Sequence, residues 1–229
     1  MQTRKNHKPH ISVIIPTLNE EGNIKQVING VDNVLKGASY EVLVIDGYSK
    51  DKTVPIAASM GARIIYDSRG KGSALIKGFA EAKGDILISI DADLSNEPKE
   101  MRLLIDSIEI GYDICMGSRF ITGGGTQDMP IMRRFGNRIF VILVNSFFHA
   151  HYSDLCYGYR SFRKDKIHEL ALKENKFAIE TEISIMAAKK HLKVIEIPSV
   201  EKKRDSGQGK LRTFGDGWGI LCTIFRNLL

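Results

Sequence analysis

The stretch DILISIDADLSNEP (residues 85–98) sets two carboxylates, Asp91 and Asp93, two positions apart at the end of an apolar run. Alternate residues of a β-strand point to one face, so on a strand these acids would stand side by side and repel. A divalent ion that prefers oxygen, Mg²⁺ or Mn²⁺, removes the repulsion. Such ions are held by one or two carboxylates together with substrate phosphates. The pair therefore reads as a metal and diphosphate site, with an end to the strand and a cap on the next helix as the plainer alternative.

The elements that must position this pair alternate through the first half. ISVIIP (11–16) and EVLVID (41–46) are short β-branched runs of the kind buried on both faces of a parallel sheet. Between them Ile24, Val27, Ile28, Val31 and Leu35 recur at helical spacing. A helix near 51–60, the strand ARIIY (62–66), a helix over Ala74, Leu75, Gly78, Phe79 and Ala82, and the strand DILISID (85–91) repeat the unit. Met101, Leu104, Ile105 and Ile108 mark another helix, and DICMGSR (113–119) a fifth strand. This alternation predicts an α/β fold: one domain with a mostly parallel, Rossmann-like sheet flanked by helices. Ligands bind outside the carboxyl ends of such strands, so Pro16, Asp46 and Asp91 are expected to converge on one crevice. In the second half the sequence predicts a glycine-rich loop (120–130), a helix over 131–149, a short helix, a helix near 179–190, the strand KVIEIPSV (193–200) and a basic segment, EKKRDSGQGKLR.

With 229 residues, 43% of them hydrophobic and 26% charged, the chain has globular composition. Its formal charge of +6 admits phosphorylated ligands, nucleic acid or an anionic membrane surface. The run Lys202, Lys203, Arg204 lacks the aromatic interleaving of a nucleic-acid patch, so no nucleic-acid partner is expected. Cys115, Cys156 and Cys222 form no C-x-x-C pair, which argues against a zinc site or disulfide framework and for a reduced, cytoplasmic setting. The polar start MQTRKNHKPH argues against a secretory signal, and no apolar run reaches the length of a membrane span. GKGSA (70–74) lacks the spacing of a P-loop, which excludes a kinase or ATPase of that type. His149 and His151 are spaced onto different helix faces and do not read as metal ligands.

PTLNEEGNI, IDGYSKDKT, GKGSALIKGFAEAKGD and DADLSNEP occur in the order and spacing of family 2 glycosyltransferases of the GT-A fold. GSRF, DLCYGYRSF and RDSGQGKL resemble the branch that glycosylates dolichyl or polyprenyl phosphates. The resemblance covers about residues 10–213. It implies a polar tail over 1–10 and a catalytic domain over 11–229, with a nucleotide-sugar half (11–119) and an acceptor half (120–229). By the same resemblance Pro16, Glu20 and Asp46 help hold the nucleotide, Lys71 lies near the donor, and Asp91, Ala92 and Asp93 form the metal and diphosphate site. Arg119, Arg204 and Lys210 resemble residues that close over the diphosphate or face the acceptor phosphate, and the resemblance puts Arg160 and Glu182 on the acceptor side. Leu18 stands where the family often has tyrosine, and Gly47 where it often has a second aspartate, so the base pocket departs from the pattern.

A nucleoside diphosphate leaving an anomeric carbon gathers negative charge that a metal and Arg or Lys stabilise, and Asp91, Asp93, Arg204 and Lys210 supply those parts. An acceptor hydroxyl would also need a general base, whereas an acceptor phosphate is already an anion. Relatives that act on hydroxyls usually carry an acid shortly before an Arg-Trp or Lys-Trp pair. Trp218 in FGDGWG does not match, which favours a polyprenyl phosphate acceptor. If the acceptor is a hydroxyl, Asp154 is the candidate base, with a turn cap as its alternative. Two further rivals are a sugar-phosphate nucleotidyltransferase, which would want a glycine-rich basic loop where PTLNEEG stands, and a non-catalytic nucleotide-binding module, which the intact D-x-D disfavours. Arg133, Arg134 and Arg138, with Ile139, Phe140, Ile142, Leu143, Phe147 and Phe148 behind them, are expected to form a buried core helix. The alternative is a peripheral position on an anionic leaflet, guiding a lipid phosphate to the site.

Overall fold

In the computed structural model, which describes residues 9–127, 129–203 and 213–228, the β-branched runs become β1 (Ile11–Thr17), β2 (Tyr40–Asp46) and β3 (Arg63–Tyr66). The apolar stripes between them become α1 (Ile24–Val34), α2 (Thr53–Ser59) and α3 (Lys71–Glu81). Then follow β4 (Ile86–Ser89), a 3-10 turn at Pro98–Glu100, α4 (Met101–Glu109), β5 (Ile114–Ser118) and β6 (Gly125–Thr126). The rest comprises α5 (Ile131–Phe148), β7 (Arg160–Arg163), α6 (Lys164–Glu169), α7 (Ile179–Lys189), β8 (Val194–Pro198), β9 (Val200–Glu201) and α8 (Thr213–Arg226). Arg204 and Lys210 lie outside the described residues, as does the tail before Pro9.

Seven strands form one sheet in the order β3-β2-β1-β4-β7-β5-β8, and β6 pairs with β9 separately. Every neighbouring pair in the large sheet is parallel except those of β7, which runs antiparallel to both β4 and β5. Strand β7 is an element that the sequence reading did not anticipate. Helices cover both faces. Val13 and Ile15 of β1 pack with Val27, Ile28 and Val31 of α1 and Leu104 of α4, while Ile14 joins Leu43, Ile45 and the α3 residues Leu75 and Phe79 on the other face. Full burial of each such side chain is worth about 1.5–3 kcal/mol. A β-carbon at Gly78 would come within 2.4 Å of Ile14 Cγ2, so glycine there lets α3 lie close on the sheet.

Strand β4 is shorter than expected, and this corrects the picture of two carboxylates on one strand face. The Ile90 N–H still donates to Ile14 O at 3.2 Å, but the next rung of a parallel ladder needs an N–H at residue 16, and Pro16 has none. The chain turns away instead. Asn96 Oδ1 takes the Asp91 N–H at 2.9 Å, Asp93 Oδ1 takes the Ser95 N–H at 3.1 Å, and Leu94 adopts φ 63°. Asp91 and Asp93 thus stand on a pinned loop at the point where the strand order changes direction, which is where α/β sheets open a crevice.

Candidate active site

A cavity of about 740 Å³ opens there. Pro16, Leu18 and Glu20 line it after β1, Asp91, Ala92 and Asp93 after β4, and Gly70 and Lys71 at the start of α3. Its far side is made by Met132, Arg133 and Phe140 of α5, Glu180 of α7 and Gly217 and Ile220 of α8. Residues of both halves of the chain therefore face one space.

Asp91 does not face Asp93 alone. Lys71 Nζ lies 2.7 Å from Asp91 Oδ1 and 2.9 Å from Glu180 Oε1. Burial by itself would lower the Lys71 pKa, but the two carboxylates outweigh it and hold the ammonium well above the ordinary lysine value. Lys71 is thus a fixed cation at neutral pH and no proton acceptor. Gly158 is what admits the cluster: a β-carbon there would sit 2.9 Å from Lys71 Nζ, 3.2 Å from Glu180 Oε1 and 3.4 Å from Asp91 Oδ2. The donor set fits Mg²⁺ or Mn²⁺ held jointly with a ligand. Asp91 and Asp93 offer oxygen only, and among the described residues no group of three or more His, Cys, Asp or Glu could hold an ion unaided.

The sequence profile of glycosyl transferase family 2 matches residues 12–171. The chain belongs to that family. It is 34% identical over 211 residues to the dolichol-phosphate mannosyltransferase of Pyrococcus furiosus, an alignment that takes in 88% of this chain and 59% of the relative. The chain thus spans about three fifths of that protein's length. To the dolichyl-phosphate hexose transferase of Haloferax volcanii it is 30% identical over 217 residues, covering 94% of this chain and 92% of the relative. Glucosyl-3-phosphoglycerate synthase of Mycobacterium tuberculosis, solved with Mn²⁺, UDP and glucosyl-3-phosphoglycerate, superposes with a TM-score of 0.76 at 20% identity, over 96% of this chain and 80% of that one. The fold is GT-A-like, as the family resemblance implied.

Within this family 2 site the remaining residues divide. Asp46 is fully buried and off the cavity surface: its carboxylate accepts the Ser49 hydroxyl at 2.5 Å and the Ser49 N–H at 2.8 Å, which shapes the turn carrying Gly47. Gly47 and Leu18 do line the cavity. Arg119 lines it too, with its guanidinium in a fork on Asp154 (2.7 and 2.9 Å), a third contact to Glu201 at 3.1 Å, and the Tyr157 ring 4.6 Å away. Burial would lower the Arg119 pKa, yet Asp154 and Glu201 hold it above the ordinary arginine value. Asp154 has no exposed surface and also accepts the Cys156 N–H at 3.2 Å, contacts that suit a residue aiming Arg119 better than one taking a proton.

Three expectations for the acceptor side change. Arg160 is buried away from the cavity and donates to Tyr157 O, Leu155 O, Glu180 O and Ser184 Oγ at 2.8–3.0 Å. Its guanidinium ties the 155–157 loop to α7, and burial lowers its pKa despite nearby Glu180 and Asp154. Glu182 points elsewhere as well, accepting the Lys173 and Glu174 N–H groups at 3.0 and 2.8 Å, and burial raises its pKa. Glu180, two residues earlier, is the acid that reaches the crevice. Arg133 lines the cavity whereas Arg134 is exposed outside its lining.

Nor is α5 a buried core helix. Only Asn137, Phe140 and Val144 are buried, while Ile131 (86% exposed), Phe135 (63%), Ile142 (55%) and Phe147 face outward. On α8 Trp218 (69%) and Phe225 do the same, and the Phe147 and Phe225 rings lie 6.2 Å apart, joining the two helices in one apolar face. No helix among the described residues is long and apolar enough to cross a membrane.

Proposed function

We propose that this chain is a metal-dependent, inverting glycosyltransferase that moves a hexose from a nucleotide sugar, of the GDP-mannose or UDP-glucose type, to a polyprenyl or dolichyl phosphate at a cytoplasmic membrane face. One observation carries the reading: α5 and α8 wall the cavity that holds Asp91, Asp93 and Lys71, and the same two helices turn an apolar face outward. Exposed apolar surface of this extent marks a protein or membrane contact, and Arg134 and Arg138 beside it suit an anionic leaflet. A lipid phosphate reaching the crevice along α5 would meet Arg133 before the donor. The relatives named for dolichol-linked transfer and the Mn²⁺ and UDP held by the structural neighbour support the same assignment.

Pro16, Leu18 and Glu20 would border the nucleotide, with Asp46 keeping the turn beside it in shape. Asp91 and Asp93 would hold a divalent ion, which would supply charge stabilisation for the departing diphosphate. Lys71 contributes a second fixed positive charge, and Arg119 a third, aimed by Asp154. An acceptor phosphate needs orientation and no proton removal, which agrees with a site in which Asp154, the candidate base, is closed off.

The test incubates the purified protein and Mn²⁺ or Mg²⁺ with labelled UDP-glucose or GDP-mannose, with and without polyprenyl phosphate, and follows label into the organic phase. Label that moves only with lipid and metal together is the expected result and identifies the donor. Label appearing in a water-soluble glycoside would overturn the lipid acceptor.

A further inference from the structure

Resting on that donor reading, we propose that Lys71 is an internal counter-ion that occupies Asp91 until the donor's diphosphate draws it away, so that metal and nucleotide bind as a coupled pair. The ammonium touches Asp91 Oδ1 at 2.7 Å, and the Lys71 and Asp91 side chains are only 17% and 27% exposed. An ammonium and a divalent cation cannot share one carboxylate oxygen without strong like-charge repulsion. Even on Asp91 Oδ2 a divalent ion stays within range of that repulsion, so its arrival favours departure of the ammonium.

The backbone on either side of this contact has nowhere to go. Lys71 opens α3, whose Gly70 and Gly72 lie so tightly against the 174–176 loop that β-carbons there would fall 2.5 Å from Asn175 O and 2.2 Å from Glu174 O. The Ser73 N–H donates to Asn175 O at 3.1 Å, and Asn96 pins the Asp91 N–H. Exchange is therefore confined to the Lys71 side chain. Glu180 gives that motion its second anchor. Its Oε1 is buried and meets the Lys71 ammonium at 2.9 Å, so the ammonium leaving Asp91 stays paired on one side while a diphosphate oxygen replaces Asp91 on the other. Without nucleotide, a metal ion must displace the ammonium with no new partner on offer for it.

The test titrates Mn²⁺ into the full chain, alone and with saturating UDP or GDP, counting free Mn²⁺ by its electron paramagnetic resonance signal and subtracting the Mn²⁺ that the same nucleotide takes up without protein. The quantity read is the ratio of the two affinities. Wild type is expected to bind Mn²⁺ at least about tenfold more tightly with nucleotide. Lys71→Met should tighten Mn²⁺ binding about tenfold in the nucleotide-free state alone and lower the ratio by that factor, leaving the share that direct coordination by the diphosphate supplies. Glu180→Gln should act oppositely, weakening Mn²⁺ alone and enlarging the ratio, because the displaced ammonium then has no fixed partner. A general field effect shifts both affinities alike; unchanged ratios in both variants would overturn the exchange and leave the donor reading standing. Wild type that binds no Mn²⁺ with either nucleotide would overturn both. Thermal melts report whether each variant folds, and if Lys71→Met does not, the sign of the Glu180→Gln ratio decides.

Discussion

Asp154 gives both carboxylate oxygens to Arg119 and none to solvent, and its replacement separates two roles that the sequence alone could not. Asp154→Asn keeps the shape but leaves a buried guanidinium short of charge, so unfolding free energy should fall by about 3 kcal/mol, together with transfer. A proton-abstracting residue would lose transfer at unchanged stability; paired thermal melts and rate measurements tell the two apart. Asp91→Asn or Asp93→Asn should lower transfer by about two to three orders of magnitude; melting should change little for Asp93→Asn, on a loop at the cavity surface, and more for Asp91→Asn, which also takes one partner from the Lys71 ammonium. Lys71 came from the family resemblance alone, whereas Asp91 and Asp93 were legible because residue type, spacing and strand-end position agree. Glu180 was not. Helix α7 is buried all round from Ile179 to Ile185, so no amphipathic stripe fixes its phase, and nothing in FAIETEI distinguishes the acid that faces the crevice from Glu182.

The same limit operates on whole elements. Strand β7 reads RSFR, with no apolar run or clean alternation to announce a central strand, yet it pairs on both sides. Its Arg160 is tolerable there only because carbonyls of residues 155, 157 and 180 converge on it, an arrangement that exists only after folding. Helix α5 fails in the opposite way: its span was legible to within a residue, but an apolar stripe does not say what covers it. Part of that stripe packs on the core and part lies open beside α8. The triple variant Ile142→Ser, Phe147→Ser, Phe225→Ser should therefore cost about 1 kcal/mol per site at most, since Phe147 and Phe225 are about half exposed, and leave the chain folded. Binding to anionic vesicles, measured by co-sedimentation, should fall at least about tenfold, because each side chain gives up apolar burial in the interface. Unchanged vesicle binding with an altered sedimentation mass would assign the face to a second copy of the chain.

At the scale of the molecule, alternating β-branched runs and helical stripes disclosed the α/β class, and strand-end positions disclosed where the crevice opens. Strand order was hidden, because the antiparallel insertion of β7 between β4 and β5 depends on pairings distant in sequence. That insertion brings the 155–158 loop, with Gly158, against the loop of Asp91, so the Asp91–Lys71–Glu180 cluster and the inner sides of α5 and α8 line one cavity. With a formal charge of +6 and arginines along α5, approach to an anionic membrane should be electrostatically assisted, at about 1 kcal/mol for each basic residue near the surface. Screening removes that assistance as the Debye length shrinks. Transfer to long-chain polyprenyl phosphate in anionic vesicles should therefore decline steeply as salt rises from about 0.05 to about 0.5 M, while transfer to a short-chain, water-soluble polyprenyl phosphate declines much less. Equal declines would place the salt-sensitive step inside the crevice, where on the proposed reading both acceptors would meet Arg133, and would remove the membrane surface from the pathway of the acceptor.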